Sequence, residues 1–164
     1  MVSVPQLALR VLQFLCVLIA LALVAASIDD QFYGNSSVNW AMFVAVFSMI
    51  VVFYGMAAAF VESLAQPMIL GAMDGLATLF NFIAGVVLAA RLGVHSCSNR
   101  RYLFSNSLTQ GMAERCRMLQ AATAFFWFAF ALFAASIAMD FIGGGSSMAR
   151  RSNVRKSAPT MSQV

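Results

Sequence analysis

The chain has 164 residues, 62% of them hydrophobic and only 10% charged, with ten Lys and Arg against six Asp and Glu, a net charge of +4 and a mean hydropathy of +0.84. So little polar material cannot clothe a water-exposed domain of this size, which places the chain in a membrane. Once the apolar runs are set aside, too few residues remain for a separate soluble catalytic domain.

Four apolar runs appear, at about 7–28, 40–61, 67–92 and 118–142. Each is close to or above the roughly 20 residues that cross a hydrocarbon core of about 30 Å. Lipid offers no partners to backbone amides, so each run is predicted to be a helix. The expected fold is an all-α, four-transmembrane-helix bundle over residues 1–142, followed by a flexible basic tail over 143–164.

The first run carries Arg10 before its apolar stretch and Asp29-Asp30 after it, which favours a cytosolic N-terminus. A rival reading takes it as a cleavable signal peptide with Val24-Ala25-Ala26 at the cleavage site. The run is longer than a usual signal core, so a retained span is expected. The loop that follows, DDQFYGNSSVN, holds the acceptor triplet Asn35-Ser36-Ser37. Its shortness keeps Asn35 among lipid headgroups, with Tyr33 and Trp40 as interfacial anchors, and the asparagine is expected to stay unmodified.

The second run has Ser48, Gly55 and Glu62 at heptad spacing, with Ala59 four residues after Gly55. The third, containing GAMDGLATLFNFIAG, is the most unusual. At about 100° per residue, Gly71, Asp74, Thr78, Asn81, Gly85 and Ala89 form one stripe, and Leu76, Leu79, Phe80, Ile83, Val86 and Val87 cover the other side. Gly71 and Gly75 make a GxxxG, so this helix is predicted to be the packing centre, with Thr78 and Asn81 bonding to neighbours and a tight hairpin to helix two. An isolated aspartate at that depth costs several kcal/mol, so about that much favours a partner. Arg10 is the leading partner for Asp74, and Asp140 and Glu62 are competitors. The functional reading of Asp74 is a proton or ligand site; the structural reading is a helix-locking ion pair, favoured because the sole histidine, His95, lies in a loop.

Four spans put both termini on one side. Arg10, Arg150, Arg151, Arg155 and Lys156 then face Arg91, Arg100, Arg101, Arg115 and Arg117 across the membrane, a tie that charge bias cannot break. Cys97 and Cys116 share the long third loop, while Cys16 lies within helix one. A disulfide between the two loop cysteines is expected and would place that loop outside the cytosol. Two unlinked thiols, or a metal site of His95, Cys97 and Cys116 without CxxC or HxxxH spacing, are the alternatives. After the fourth run, GGGSS leads into RRSNVRK, whose Arg150, Arg151, Arg155 and Lys156 suit anionic lipid or a submembrane scaffold. An ordinary positive flank explains them equally well. Ser162-Gln163-Val164 offers an apolar carboxyl terminus to a peptide-binding groove.

The segments FVESLAQPMIL, MDGLATLFNFIAGVVLAARLGVHSC, TQGMAERCRMLQAATAFF and APTMSQV resemble the fungal nonclassical export proteins, four-helix MARVEL-type proteins of the plasma membrane. Asp74, Asn81, Cys97 and Cys116 match the family's pattern. The resemblance implies a multi-pass plasma-membrane protein that organises the furrow-shaped domains called eisosomes, influences the scaffold beneath them, retains nutrient transporters, responds to sphingolipid depletion and is linked to leaderless export. The implied partners are sphingolipid and anionic lipid, eisosome scaffold proteins and transporters, with a homo-oligomer as a further expectation. No cofactor, metal or nucleic-acid partner is expected, and the chain is expected not to be an enzyme. A small transporter or channel built on the Asp74 stripe is the alternative. The eleven methionines and fifteen phenylalanines read as lipid-facing and packing residues.

Overall fold

A computed structural model describes residues 4–61, 66–93 and 95–156, with side chains described as far as Phe141. Five helices follow in order: α1 (Val4–Asp29), α2 (Ser36–Phe60), α3 (Pro67–Leu92), α4 (Arg100–Ser105) and α5 (Ala113–Lys156). Val4–Asp29, Ser36–Phe60, Pro67–Leu92 and Ala113–Phe141 are each long and apolar enough to cross a membrane, and α4 is a single short helix in the third loop. No strand occurs among the described residues.

Local chemistry sets the helix ends. Asn35 caps α2 by accepting from Ser37 N at 3.0 Å, and Asn99 caps α4 by accepting from Arg101 N at 3.1 Å and Tyr102 N at 3.4 Å. Pro67 opens α3, where its missing N–H costs no helical bond. Gly93 closes α3 at φ 60°, a left-handed value that suits glycine. The chain enters α5 from Gln110 at φ 49° and Gly111 at φ 84°. The fourth span therefore begins at Ala113, five residues before the expected 118. The α5 backbone continues as helix to Lys156, although the span ends at Phe141. The side chains of Arg150, Arg151, Arg155 and Lys156, together with Glu62 and Ser162-Gln163-Val164, lie outside the described residues.

The spans pack in a square, each chiefly against two neighbours, in the order α1, α2, α3, α5 and back to α1; α3 and α5 share the most extensive contact. Lipid tails are as apolar as the side chains, so close packing must hold these helices together where aqueous burial would do so elsewhere. Alanines supply the close approach: Ala20, Ala41, Ala45, Ala84 and Ala122 in the core half nearer the loops, and Ala77 and Ala129 in the half nearer the termini. Phe126 and Phe133 fill the space the alanines leave between helices. Leu108 of the third loop is fully buried against the first of these clusters, so the loop forms a lid continuous with the core.

Candidate functional site

The opposite corners of the square are joined through its centre. Arg10 lies six residues into α1 and Asp74 seven into α3, each roughly 10 Å from the helix start at about 1.5 Å per residue. Arg10 is 3% exposed and Asp74 is 0% exposed. The guanidinium donates through Nη1 to Oδ1 at 2.8 Å and through Nη2 to Oδ2 at 2.7 Å, a two-pronged fork that fixes orientation as well as charge.

Further polar groups join the pair. Ser136 Oγ on α5 donates to Asp74 Oδ2 at 3.2 Å. Arg10 Nη1 also donates to Gln13 Oε1 at 3.1 Å, and Gln13 Nε2 donates to the Leu132 carbonyl at 3.1 Å, one turn before Ser136. Gly55 on α2 makes room for the arginine head: a Cβ built there would sit 2.6 Å from Arg10 Cζ. All four spans thus meet around one ion pair. Such a pair is costly to bury and far costlier to leave half-made, so it fixes which helices are neighbours more than it adds net stability.

A second polar layer lies near mid-depth. Asn81 Nδ2 donates to Ser48 Oγ on α2 and to the Ala77 carbonyl, both at 2.7 Å, while Asn81 Oδ1 is buried without a partner among the described residues. A third lies at the loop end, where Arg115 is completely buried. Its Nε donates to the Leu108 carbonyl at 2.6 Å and its Nη1 to the Ser27 carbonyl, clamping the lid to α1.

Around this layer the third loop is tightly tied. Cys97 and Cys116 form a disulfide with S–S 1.97 Å and Cα–Cα 5.7 Å. Sulfurs bonded to each other cannot act as thiolate ligands, which removes the metal alternative. Tyr102 Oη donates to the Leu92 carbonyl and accepts from Asn106 Nδ2 at 3.1 Å. Burial pushes the Tyr102 phenol above its ordinary pKa, with the Asn106 hydrogen bond acting the other way. Gln110 ties the two loops together, accepting from Phe32 N at 2.8 Å and donating to the Tyr33 carbonyl at 2.9 Å.

Several expectations need correction. Gly71 and Gly75 are not sites of close helix approach among the described residues: a Cβ at either would meet nothing within 4 Å. The buried face of α3 is Asp74, Ala77, Asn81, Ala84, Gly85, Leu88 and Leu92, turned away from Gly71 and Ala89 because α3 packs mainly on α5. Of the predicted stripe's glycines, only Gly85 makes a close approach, with its would-be Cβ 3.1 Å from Trp127 Cε2. Thr78 bonds back to the Asp74 carbonyl at 2.7 Å rather than across to a neighbour. Asp140 does not compete for Arg10; it accepts from Gln6 Nε2 at 2.7 Å. Arg115, assigned to the outer loop with the exposed arginines, is buried because α5 starts early enough to enclose it.

Residues 2–139 match the family described as MARVEL, membrane-associating domain. The whole chain aligns at 37% identity over 173 residues with the whole of non-classical export protein 2 of Saccharomyces cerevisiae, and at 39% over 172 residues with the whole of non-classical export protein 102 of Candida albicans. The chain is a MARVEL-domain member of the fungal non-classical export family. A Schizosaccharomyces pombe member, non-classical export protein 2 homolog, is 33% identical over 72% of this chain and 66% of its own. No solved structure matches this MARVEL chain. The family's matched region takes in the first three spans, the three loops and the fourth span as far as residue 139 of this multi-pass membrane protein, and with them the Arg10 and Asp74 network.

Proposed function

We propose that this family member is a noncatalytic organiser of plasma-membrane domains. In this reading it assembles eisosome-type domains, retains transporters within them, responds to sphingolipid state and contributes to the non-classical export for which its relatives are named. The observation that carries the reading is the closure of the central network: the charged atoms of Arg10 and Asp74 face each other, Gln13 and Ser136 across three helices, with Gly55 of the fourth packed against the guanidinium. A group engaged in this way holds shape. It does not present a carboxylate to a solute, so we assign action by shape and adhesion to the lipid-facing flanks and the tail.

Both termini are assigned to the cytosol, because the disulfide at the opposite end belongs in an oxidising compartment. There, Arg150, Arg151, Arg155 and Lys156 meet anionic lipid or the submembrane scaffold, each cation contributing about 1 kcal/mol near such a surface. Ser162-Gln163-Val164 is the candidate contact for a scaffold groove. Live imaging of membrane patches tests the assignment. Deleting residues 150–164 should leave insertion and folding intact while scaffold recruitment falls; unchanged recruitment and unchanged transporter retention would remove the tail from the mechanism. Asp74→Leu should lose patch localisation, and normal patches with full function would contradict the structural role of the pair.

A conduit is the second reading. It is favoured by one feature, the Asn81 Oδ1 without a partner among the described residues, at mid-depth between the Asp74 and Arg115 layers.

A further inference from the structure

The loop end carries a charge the central network does not use. Between Arg91 and Arg117 there are five arginines and a single carboxylate, Glu114. Arg115 is buried in the lid clamp, held through Nε and Nη1, with Nη2 buried and without a partner among the described residues. Arg91, Arg100, Arg101 and Arg117 are all exposed, and none of their guanidinium groups has a hydrogen bond or ion pair among the described residues.

The fold brings them together. The disulfide sets Cys97 and Cys116 Cα atoms 5.7 Å apart, which carries Arg117, one residue beyond Cys116, to the segment that leads three residues on into Arg100 and Arg101. Asn106 Nδ2 donates to the Arg91 carbonyl at 2.9 Å, bringing the end of α3 to the end of α4. On α4 itself Tyr102 and Leu103 point inward, while Arg100, Arg101 and Phe104 point outward.

Apolar groups share this rim. Phe104 is 79% exposed yet held in place, because its ring rests on Gly111, where a Cβ would come within 2.8 Å of Phe104 Cε1. The neighbouring Gln110 holds the backbone of Phe32 and Tyr33, both exposed, beside it. Guanidinium groups interleaved with exposed aromatics at the end of a membrane bundle fit the headgroup layer: the rings sit at the acyl boundary and the forks take phosphate.

We propose that the loop end of the bundle is a headgroup-binding surface for lipids carrying an anionic phosphate, with Arg100, Arg101 and Arg117 as the phosphate-contacting residues, Arg91 beside them and Phe104 as the membrane anchor. The occupant is a lipid rather than free phosphate because the aromatic anchor shares a six-residue helix with two of the arginines. The surface lies at the opposite end from the basic tail. It rests on the organiser reading only in taking lipid as the partner.

The test uses the full-length protein in nanodiscs of phosphatidylcholine containing a minor fraction of phosphatidylglycerol, whose phosphate has no covalently attached cation to mask it. Lipids retained by the purified protein are quantified by mass spectrometry. Phosphatidylglycerol should be enriched over its bulk ratio, the enrichment should fall to the bulk ratio in R100A/R101A/R117A, and R100K/R101K/R117K should restore part of it. Phe104→Ser should lower it, and excess inorganic phosphate should leave it in place. The altered residues are exposed, and an intact disulfide with an unchanged chromatographic profile confirms that the variants fold. A tail variant, R150A/R151A/R155A/K156A, serves as the separate arm. Enrichment that survives in R100A/R101A/R117A would overturn the site, and enrichment lost only in the tail variant would move lipid recognition to the other end while leaving the organiser reading intact. Displacement by inorganic phosphate would overturn the lipid as occupant.

Discussion

Three glycines separate packing from propensity. A Cβ at Gly55 would lie 2.6 Å from Arg10 Cζ, 2.7 Å from Nε and 2.9 Å from Nη1. Reaching ordinary contact near 3.5 Å requires the guanidinium to retreat by about 1 Å. Its bonds to Asp74 are already 2.7 and 2.8 Å long, and Ser136 closes the far side of the carboxylate, so the retreat distorts or breaks the fork. Breaking a buried pair completely costs about 3–5 kcal/mol. Alanine returns about 1 kcal/mol of helix propensity. Gly55→Ala should therefore be destabilising by roughly 1–3 kcal/mol, a fall of about 3–10 °C in Tm for a chain of this size. Gly71→Ala and Gly75→Ala, with nothing within 4 Å, gain only the propensity and should be neutral or slightly stabilising. Thermal unfolding of the purified proteins in one detergent, followed by size-exclusion chromatography, gives the comparison. An R10L/D74L background should abolish most of the Gly55→Ala cost. If Gly55→Ala matches Gly71→Ala, or if its cost persists without the pair, the close approach has been misjudged.

Other perturbations address the pair, the disulfide and the lid. Asp74→Asn leaves a buried guanidinium without its counter-charge and should cost about 3–5 kcal/mol, whereas R10L/D74L, which removes both charges, should cost much less in the same unfolding assay. C97S/C116S opens a loop of sequence separation 19 and should lose about 3 kcal/mol, with non-reducing gels and thiol labelling reporting the bond in the parent. Because the folded Tyr102 phenol titrates above its unfolded value near 10, the folded state holds its proton longer. Its contribution is complete below about pH 10 and is lost as pH rises through the higher folded pKa. Unfolding midpoints of the parent should fall across that alkaline window, and the fall should be smaller in Tyr102→Phe.

The spans were legible because apolar runs of this length have one solution in lipid, and the pairing of Arg10 with Asp74 because two lone opposite charges at matching depth have few other partners. What escaped was the azimuth. A stripe drawn through small and polar residues put Gly71, Gly75 and Thr78 on the packing face, but the helix turned to bury Ala77, Ala84 and Leu88 in the bundle core. Gln13 was findable: it is a polar side chain three residues from Arg10 on the same helical face. Ser136 could be placed only once α5 was known to pack on α3, since a serine within a span satisfies its own helix equally well. Arg115 carried no signal, because its partners are the carbonyls of Leu108 and Ser27, and backbone acceptors leave no mark in a sequence.

The central claim is that the buried charges join helices and do not carry solutes. Ion and proton flux through sealed liposomes containing the purified full-length protein tests it most directly. The account predicts leak no greater than in protein-free liposomes, for the parent and for Asp74→Asn alike. A selective flux in the parent that Asp74→Asn abolishes would contradict it.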